Sequence, residues 1–114
     1  MHLPAEAELL RIHIGEGDRC GHQPLYEAIV LEARRRGMAG ATVLRGIMGF
    51  GAHSHLHTHK VLRLSEDLPL VIEIVDTPER IAELLPYLEQ VMAEGLVTRE
   101  KVRVAVHRAG QAPA

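Results

Sequence analysis

The segment 46–76 constrains the fold of this chain most. It holds the end of one strand-like run and the whole of a second, with only a loop between them. The first run ends in the turn Gly49-Phe50-Gly51, and the second reads Leu70-Val71-Ile72-Glu73-Ile74-Val75. A long loop between two strands is a place where a small rigid domain can hold a ligand. The segment therefore indicates two consecutive strands and a candidate ligand site beside them.

Hydrophobic periodicity predicts the elements before this segment. Leu10, Ile12 and Ile14 alternate with polar residues, as in a half-buried strand. A helix follows, with Pro24 at its first position and Gly37 as its C-terminal cap. Its apolar residues recur at helical spacing: Leu25, Ala28, Ile29 and Ala33. A second strand is predicted over about residues 41–48, with Val43 in the core.

A second helix and a last strand are predicted after the segment. Thr77 and Pro78 form an N-cap and first-position pair, and Gly95 ends the helix. Its buried stripe comprises Ile81, Leu84, Leu85, Leu88 and Met92. Pro86 lies inside this helix, and because it costs about 3 kcal/mol there, we expect a kink or break. The last strand is predicted from the alternation of Val102, Val104 and Val106, and residues 109–114 form a loose tail.

The order strand, helix, strand, strand, helix, strand predicts an α+β, ferredoxin-like βαββαβ fold. This fold is a four-stranded antiparallel sheet with two helices on one face. We expect a single domain over residues 1–114, with its core at about 8–107. The uncovered sheet face would carry Val71, Glu73 and Val75. A mixed apolar and polar face in so small a domain predicts burial against copies of the same chain.

Composition excludes several classes of function. Thirteen basic and fifteen acidic residues give a net charge of −2, which argues against general nucleic-acid binding. A single cysteine, Cys20, fits a reducing compartment, and no apolar run approaches the roughly 20 residues needed to span a bilayer. We therefore expect a cytoplasmic protein. No catalytic set of side chains is recognisable, so we do not expect an enzyme.

Four histidines occupy every second position of the loop: His53, His55, His57 and His59. In an extended strand they would face the same side and could converge on zinc, copper or nickel. No carboxylate or thiol lies beside them, and a solvated histidine run explains the same pattern. Both interpretations stay open.

Several stretches over residues 8–107 resemble an uncharacterised family, called domain of unknown function 190, within the PII-like superfamily. The first two are Pro24-Leu25-Tyr26-Glu27-Ala28-Ile29-Val30 and Gly40-Ala41-Thr42-Val43-Leu44-Arg45-Gly46-Ile47-Met48-Gly49-Phe50-Gly51. The others are Leu64-Ser65-Glu66-Asp67-Leu68-Pro69, Glu73-Ile74-Val75-Asp76 and Gly95-Leu96-Val97-Thr98. The combination of these stretches, rather than any one of them, carries the resemblance.

A weaker resemblance, through the Gly-Phe-Gly turn and a Leu-Pro before Glu-Ile-Val, is to the PII signalling proteins. It implies a homotrimer with adenine-nucleotide pockets between subunits, and a loop at about 51–64 that senses effectors or docks a partner. The residues implied around the cleft are Thr42, Gly49, Gly51, Glu73 and Gly95, with Arg108 near the end of the last strand. The family resemblance also suggests a partner, a fluoride-channel-like membrane transport protein.

The chain departs from the PII pattern at two places. Ala52 stands where PII proteins have an arginine, and Glu94-Gly95-Leu96 replaces their glycine-rich phosphate loop with its lysine. These departures favour a mononucleotide or dinucleotide, such as AMP or ADP, or a different ligand, over ATP with magnesium. The competing function is a metal-binding or metal-tolerance protein that uses the histidine row, like the copper-tolerance relatives of PII.

Two pairs of predicted ligand residues also have a purely structural explanation. Gly49 and Gly51 are explained either by a tight turn that needs positive φ or by the approach of a phosphate to bare backbone. Arg103 and Arg108 are explained either by outward-facing charge or by phosphate contacts, for which guanidinium geometry is suited.

Overall fold

The computed structural model describes residues 3–51, 57–58 and 67–110. The elements in chain order are β1 Glu6–Gly15, β2 Arg19–Cys20, β3 Gln23–Pro24, α1 Leu25–Arg35, β4 Thr42–Arg45, β5 Met48–Gly49, β6 His57–Thr58, β7 Pro69–Asp76, α2 Pro78–Val91 and β8 Leu96–Arg103. Four strands form the main sheet in the order β4-β7-β1-β8, and each pairs antiparallel with its neighbours. The α+β ferredoxin-like fold predicted from the sequence is confirmed.

The core lies between the sheet and the two helices. Along β7, burial alternates residue by residue, so Ile72 and Ile74 are buried while their neighbours are half-buried. Leu10 and Ile12 of β1 lie in register with them and are fully buried. The helices and strand ends complete this cluster with Ile14, Leu25, Ile29, Ala33, Leu70, Ile81, Leu84 and Leu88. The period-2 and helical patterns therefore identified the buried faces correctly.

Helix α1 ends in a Schellman motif, as the glycine at 37 predicts. The Met38 N–H donates to the carbonyl of Ala33 at 3.1 Å, and the Gly37 N–H donates to the carbonyl of Arg34 at 3.0 Å. Gly37 has φ +71°, the left-handed conformation that this motif requires. At the other end, Pro24 is the N-cap with extended ψ rather than the first helical residue.

Helix α2 begins at the predicted cap and continues through its proline. Thr77 Oγ1 accepts a hydrogen bond from the Arg80 N–H at 3.2 Å, and the buried Asp76 carboxylate accepts the Thr77 N–H at 2.7 Å. Pro86 is exposed, so the carbonyl that loses its partner can bond to water, and the helix is not broken there. The helix ends at Val91, and the prediction that Gly95 ends it was wrong.

Two predicted strands have different bounds in the structure. The run at 41–48 forms β4 only as far as Arg45. The Gly46 N–H still donates in register to the Pro69 carbonyl at 2.7 Å, but Pro69 has no N–H to donate back, so the ladder ends there. The last strand, β8, starts at Leu96 and ends at Arg103, so the valine alternation predicted it too late. Past its end, the Val104 N–H donates to the Ala5 carbonyl at 2.7 Å, whereas Val106 is 72% exposed.

The described part of the chain contains no helix long and apolar enough to cross a membrane. Most of the predicted loop at 51–64 lies outside the described residues, as do residues 111–114 of the predicted tail. The single-domain boundaries therefore stay a prediction.

Candidate ligand site

The sheet face opposite the helices, here called the open face, is not covered by any described part of the chain. Strand register places Thr42, Glu73, Arg11 and Thr98 side by side across it, from β4 through β7 and β1 to β8. This central row contains two of the predicted ligand residues, Thr42 and Glu73, as direct cross-strand neighbours. Thr42 is exposed and Glu73 is half-buried.

Arg11 forms two ion pairs at the centre of the open face. Its Nε lies 3.0 Å from Oε2 of Glu73, and its Nη1 lies 3.1 Å from Oε1 of Glu100. The hydrogen bond to Glu73 raises the pKa of the Arg11 guanidinium above its ordinary value, and Glu100 adds to this effect. The alternation of Leu10, Arg11 and Ile12 places Arg11 on the outer face, but its two partners could not be found without the strand register.

A second row on the open face, here called the loop-side row, is mainly apolar. It comprises Leu44, Val71, His13 and Leu96. Leu44 is 49% exposed and Leu96 is 56% exposed, which is unusual for large apolar side chains on a sheet. The segment after β4 continues this surface with Ile47, Met48 and Phe50, all strongly exposed.

Gly49 lies at the loop end of the sheet, where β4 ends and β7 begins. A β-carbon on Gly49 would lie 3.2 Å from Cγ of Pro69, and one on Gly46 would lie 3.0 Å from the same atom. Gly49 is not among the glycines with positive φ, so the turn interpretation does not explain it. Glycine is instead favoured at this position because a larger residue would press against the ring of Pro69. Gly51, two residues further along, is exposed.

Gly95 also lies at the loop end, immediately before β8. It has φ +128°, and a β-carbon there would lie 2.6 Å from the carbonyl oxygen of His13 and 2.7 Å from Cε of Met92. The position therefore needs glycine for packing, whether or not a ligand approaches it.

Arg103 and Arg108 lie at the opposite end of the sheet, the tail end. Arg103 pairs in register with Glu6, the first residue of β1. His107 Nδ1 accepts the backbone N–H of Leu3 at 3.1 Å, which fixes the chain next to Arg108 beside the start of β1. Both arginines are exposed.

The predicted ligand residues thus form three groups. Gly49, Gly51 and Gly95 lie at the loop end, Thr42 and Glu73 in the central row, and Arg103 and Arg108 at the tail end. Strand β1 has ten residues between these ends, which is about 30 Å at roughly 3.3 Å per residue. A single chain therefore does not bring all seven residues around one small molecule.

The loop end also contains a turn that the sequence did not single out. Asp67 Oδ1 accepts the Gly17 N–H at 2.8 Å, and Asp18 Oδ2 accepts the Gly15 N–H at 3.0 Å. A β-carbon on Gly15 would lie 2.7 Å from Asp67 Oδ1. The bond between Asp67 and a glycine fifty residues earlier links the segment before β7 to the end of β1.

The predicted metal ligands fall largely outside the described residues. His53, His55 and His59 lie there, and of His57 only the backbone is described, in β6 opposite Gly49. Among the residues that are described, no group of three or more histidine, cysteine or acidic side chains is arranged to hold a metal. The metal interpretation stays a prediction.

A shallow pocket of about 220 Å³ lies on the helix side of the molecule. It is lined by Arg36, Met38, Arg80 and Glu83. Arg36 and Arg80 are engaged there, since Arg36 Nη1 donates to the Glu83 carbonyl and Arg80 Nη2 donates to the Arg36 carbonyl, each at 3.0 Å. None of the predicted ligand residues lines this pocket.

Solved structures share the fold. The structure of CPII, a nitrogen regulatory PII-like protein from Thiomonas intermedia K12, bound to ADP, AMP and bicarbonate, matches with a TM-score of 0.64 and 20% identity. The match covers 89% of this chain and 90% of that one. A second structure of CPII, bound to ADP and bicarbonate, matches with a TM-score of 0.59, 20% identity and the same coverage.

Sequence comparisons identify the family. A UPF0166 protein of Aquifex aeolicus is 37% identical over 99 residues, which is 85% of this chain and 91% of the relative. A UPF0166 protein of Methanocaldococcus jannaschii is 38% identical over 87 residues, 76% of this chain and 80% of the relative. The family model described as Uncharacterized ACR, COG1993 matches residues 7–104. The chain therefore belongs to this family, domain of unknown function 190, and has the ferredoxin-like fold of PII-like proteins.

Proposed function

We propose that this protein is a non-enzymatic, PII-like regulator that assembles as a homotrimer and binds an adenine nucleotide in the clefts between subunits. The observation that carries the proposal is the separation of the candidate ligand residues. The glycines of the loop end and the arginines of the tail end lie about 30 Å apart along one chain. Residues so far apart contribute to one small-molecule site only if different chains supply them.

The open face supports assembly. It combines exposed apolar residues of the loop-side row with the ion pairs that Arg11 makes to Glu73 and Glu100. Charges that are already paired are less costly to bury than isolated ones, because each retains its partner. A face of this kind suits burial against further copies of the chain, which also removes Leu44 and Leu96 from water.

The ligand class is proposed from fold and sequence together. Structures with the same fold are bound to ADP and AMP, which supports an adenine nucleotide. Ala52 and the short Glu94-Gly95-Leu96 segment offer no cation for a third phosphate, so AMP or ADP is favoured over ATP. Arg108, which is exposed and has no ion pair within the described residues, is the candidate phosphate contact.

Regulation would act through the loop that follows Gly51. Ile47, Met48 and Phe50 expose apolar surface at the base of this loop and form a candidate docking patch. A nucleotide can alter partner binding only if it binds two states of the loop with different affinity. A membrane transport protein, fluoride-channel-like, is the proposed partner.

Isothermal titration calorimetry with AMP, ADP and ATP tests the proposal. We expect AMP or ADP to bind and Arg108→Gln to weaken that binding about 10- to 100-fold, as loss of a charged hydrogen bond would. Arg34→Gln is the matched control, since Arg34 is also exposed and unpaired among the described residues but lies at the end of α1. Absence of binding by all three nucleotides, or an equal loss in both variants, would contradict the proposal.

A further inference from the structure

The chain changes direction after β8. The Val104 N–H still continues the pairing with β1, through its bond to the Ala5 carbonyl at 2.7 Å, but the backbone bends at Ala105. Within the segment 105–110, every side chain is exposed except that of His107, which is half-buried. The segment 105–110 therefore has little packing of its own to fix its position against the sheet.

His107 connects this segment to the start of the chain. Its Nδ1 accepts the backbone N–H of Leu3 at 3.1 Å, and among the described residues this is the one hydrogen bond that joins the segment 105–110 to the rest of the molecule. The donor is itself held in place, because Pro4 restricts the backbone of Leu3 to extended conformations. The bond therefore anchors the segment 105–110 to a stiff part of the backbone beside β1.

The residue that follows His107 is Arg108, the candidate phosphate contact of the proposed function. A guanidinium binds a phosphate best when its backbone is already in the required conformation, because ordering a loose segment on binding reduces affinity. The hydrogen bond one residue before Arg108 supplies such preorganisation. Its donor comes from the segment before β1, which contains none of the predicted ligand residues.

We infer that His107 is a positioning residue for the ligand: by accepting the Leu3 N–H, it holds Arg108 where its guanidinium meets the phosphate. The inference rests on the proposed function, which assigns the phosphate contact to Arg108. It adds that the segment before β1 takes part in ligand binding without touching the ligand.

Isothermal titration calorimetry with AMP and ADP tests the acceptor side of this bond. His107→Leu should weaken binding about 3- to 10-fold, which matches the net contribution of one hydrogen bond. His107→Asn should restore wild-type affinity, because Oδ1 of asparagine is as many bonds from the backbone as Nδ1 of histidine and also accepts a hydrogen bond. His22→Leu is the control, since His22 is exposed in the turn between β2 and β3 and should bind as wild type does.

A second pair of variants tests the donor side. Leu3→Pro removes the backbone N–H and should weaken binding by the same factor as His107→Leu. Leu3→Ala keeps the N–H and loses only side-chain atoms, so its affinity should match that of wild type. The double variant Leu3→Pro/His107→Leu should bind no more weakly than either single variant, because both changes remove the same hydrogen bond.

The outcomes separate this inference from the proposed function. If Arg108→Gln weakens binding but His107→Leu and Leu3→Pro do not, the positioning role of His107 is overturned and the phosphate contact stands. An equal loss of affinity in His107→Leu and His107→Asn would also overturn it. Wild-type protein that binds neither AMP nor ADP contradicts the proposed function and the inference together. Urea midpoints equal to that of wild type are expected for all of these variants, which separates positioning from a general loss of stability.

Discussion

Gly95 packs directly against the carbonyl oxygen of His13, so that a β-carbon on Gly95 would lie only 2.6 Å from that atom. The same residue has φ +128°, a conformation that other residues rarely adopt. We expect Gly95→Ala to destabilise the fold by at least about 2 kcal/mol, because neither the clash with β1 nor the backbone strain can relax cheaply. Urea denaturation followed by circular dichroism measures this effect.

Gly40→Ala is the control for this prediction. Nothing lies within 4 Å of a β-carbon built on Gly40, and its φ is not in the positive range. Its free energy of unfolding should change by less than about 0.5 kcal/mol. Equal effects of the two substitutions would show that the contact between Gly95 and β1 does not matter for stability.

Glu32 should make stability depend on pH in the acid range. Hydrogen bonds from Arg35 and then Arg36 lower the pKa of Glu32 from 4.5 to about 2. Because the pKa is lower in the folded state, this stabilisation is present above pH 4.5 and is lost as the pH falls towards 2. Glu32→Gln should therefore lower the urea midpoint at pH 7 but have little effect near pH 2.

Glu89→Gln serves as the comparison for the pH experiment, because Glu89 is exposed on α2 and has no ion pair within the described residues. Its urea midpoint should match that of wild type at both pH values. If Glu32→Gln differed from wild type by the same amount at pH 7 and pH 2, the pairing with Arg35 and Arg36 would not be the cause.

The fold could be predicted from the sequence because its core is strictly periodic. Ile72 and Ile74 alternate along β7, and Ile81, Leu84 and Leu88 recur along α2. Strand ends were predicted less well because they depend on contacts distant in sequence. The second strand ends after Arg45 because Pro69, opposite Gly46, has no N–H to return its hydrogen bond, and pairing with β1 extends the last strand back to Leu96.

The sequence indicated individual residues of the candidate site, but it did not predict which of them lie next to each other. Thr42 and Glu73 are neighbours only because β4 pairs with β7 in one particular register. Arg11 was missed because its importance comes from two carboxylates, Glu73 and Glu100, on different strands. Conversely, the separation between the loop-end glycines and Arg108 follows from the length of the strands, and it was missed because the valine pattern placed the start of β8 too late.

Arg11 should matter more for assembly than for folding of one chain. The two ion pairs of Arg11 lie on a partly exposed surface, where such pairs contribute little to the stability of a monomer. In the proposed trimer, Arg11→Ala would bury Glu73 and Glu100 without their cation, and we expect the dissociation constant to rise at least about tenfold. Analytical ultracentrifugation at pH 7.5 measures this change.

Arg35→Ala is the matched substitution for this comparison. Arg35 also pairs with a glutamate, but its side chain is 70% exposed and lies on α1, away from the open face. Its removal should leave the oligomer unchanged. A trimer that tolerates Arg11→Ala as well as Arg35→Ala would place the interface elsewhere on the molecule.

The histidine row distinguishes the two candidate functions. A variant with His53→Ala, His55→Ala and His59→Ala should bind AMP or ADP with wild-type affinity if the protein is a nucleotide-dependent regulator. Calorimetry with zinc and copper, on the wild type and the same variant, tests the metal-binding function. Tight metal binding that disappears in the variant, together with no heat from any nucleotide, would favour the metal-binding function.

Native mass spectrometry of the protein purified directly from cells tests the central claim most directly, because it reports the number of chains and any retained small molecule together. We predict a mass of three chains, with additional mass that corresponds to AMP or ADP. A single chain without ligand at micromolar concentration and pH 7.5 would contradict the account.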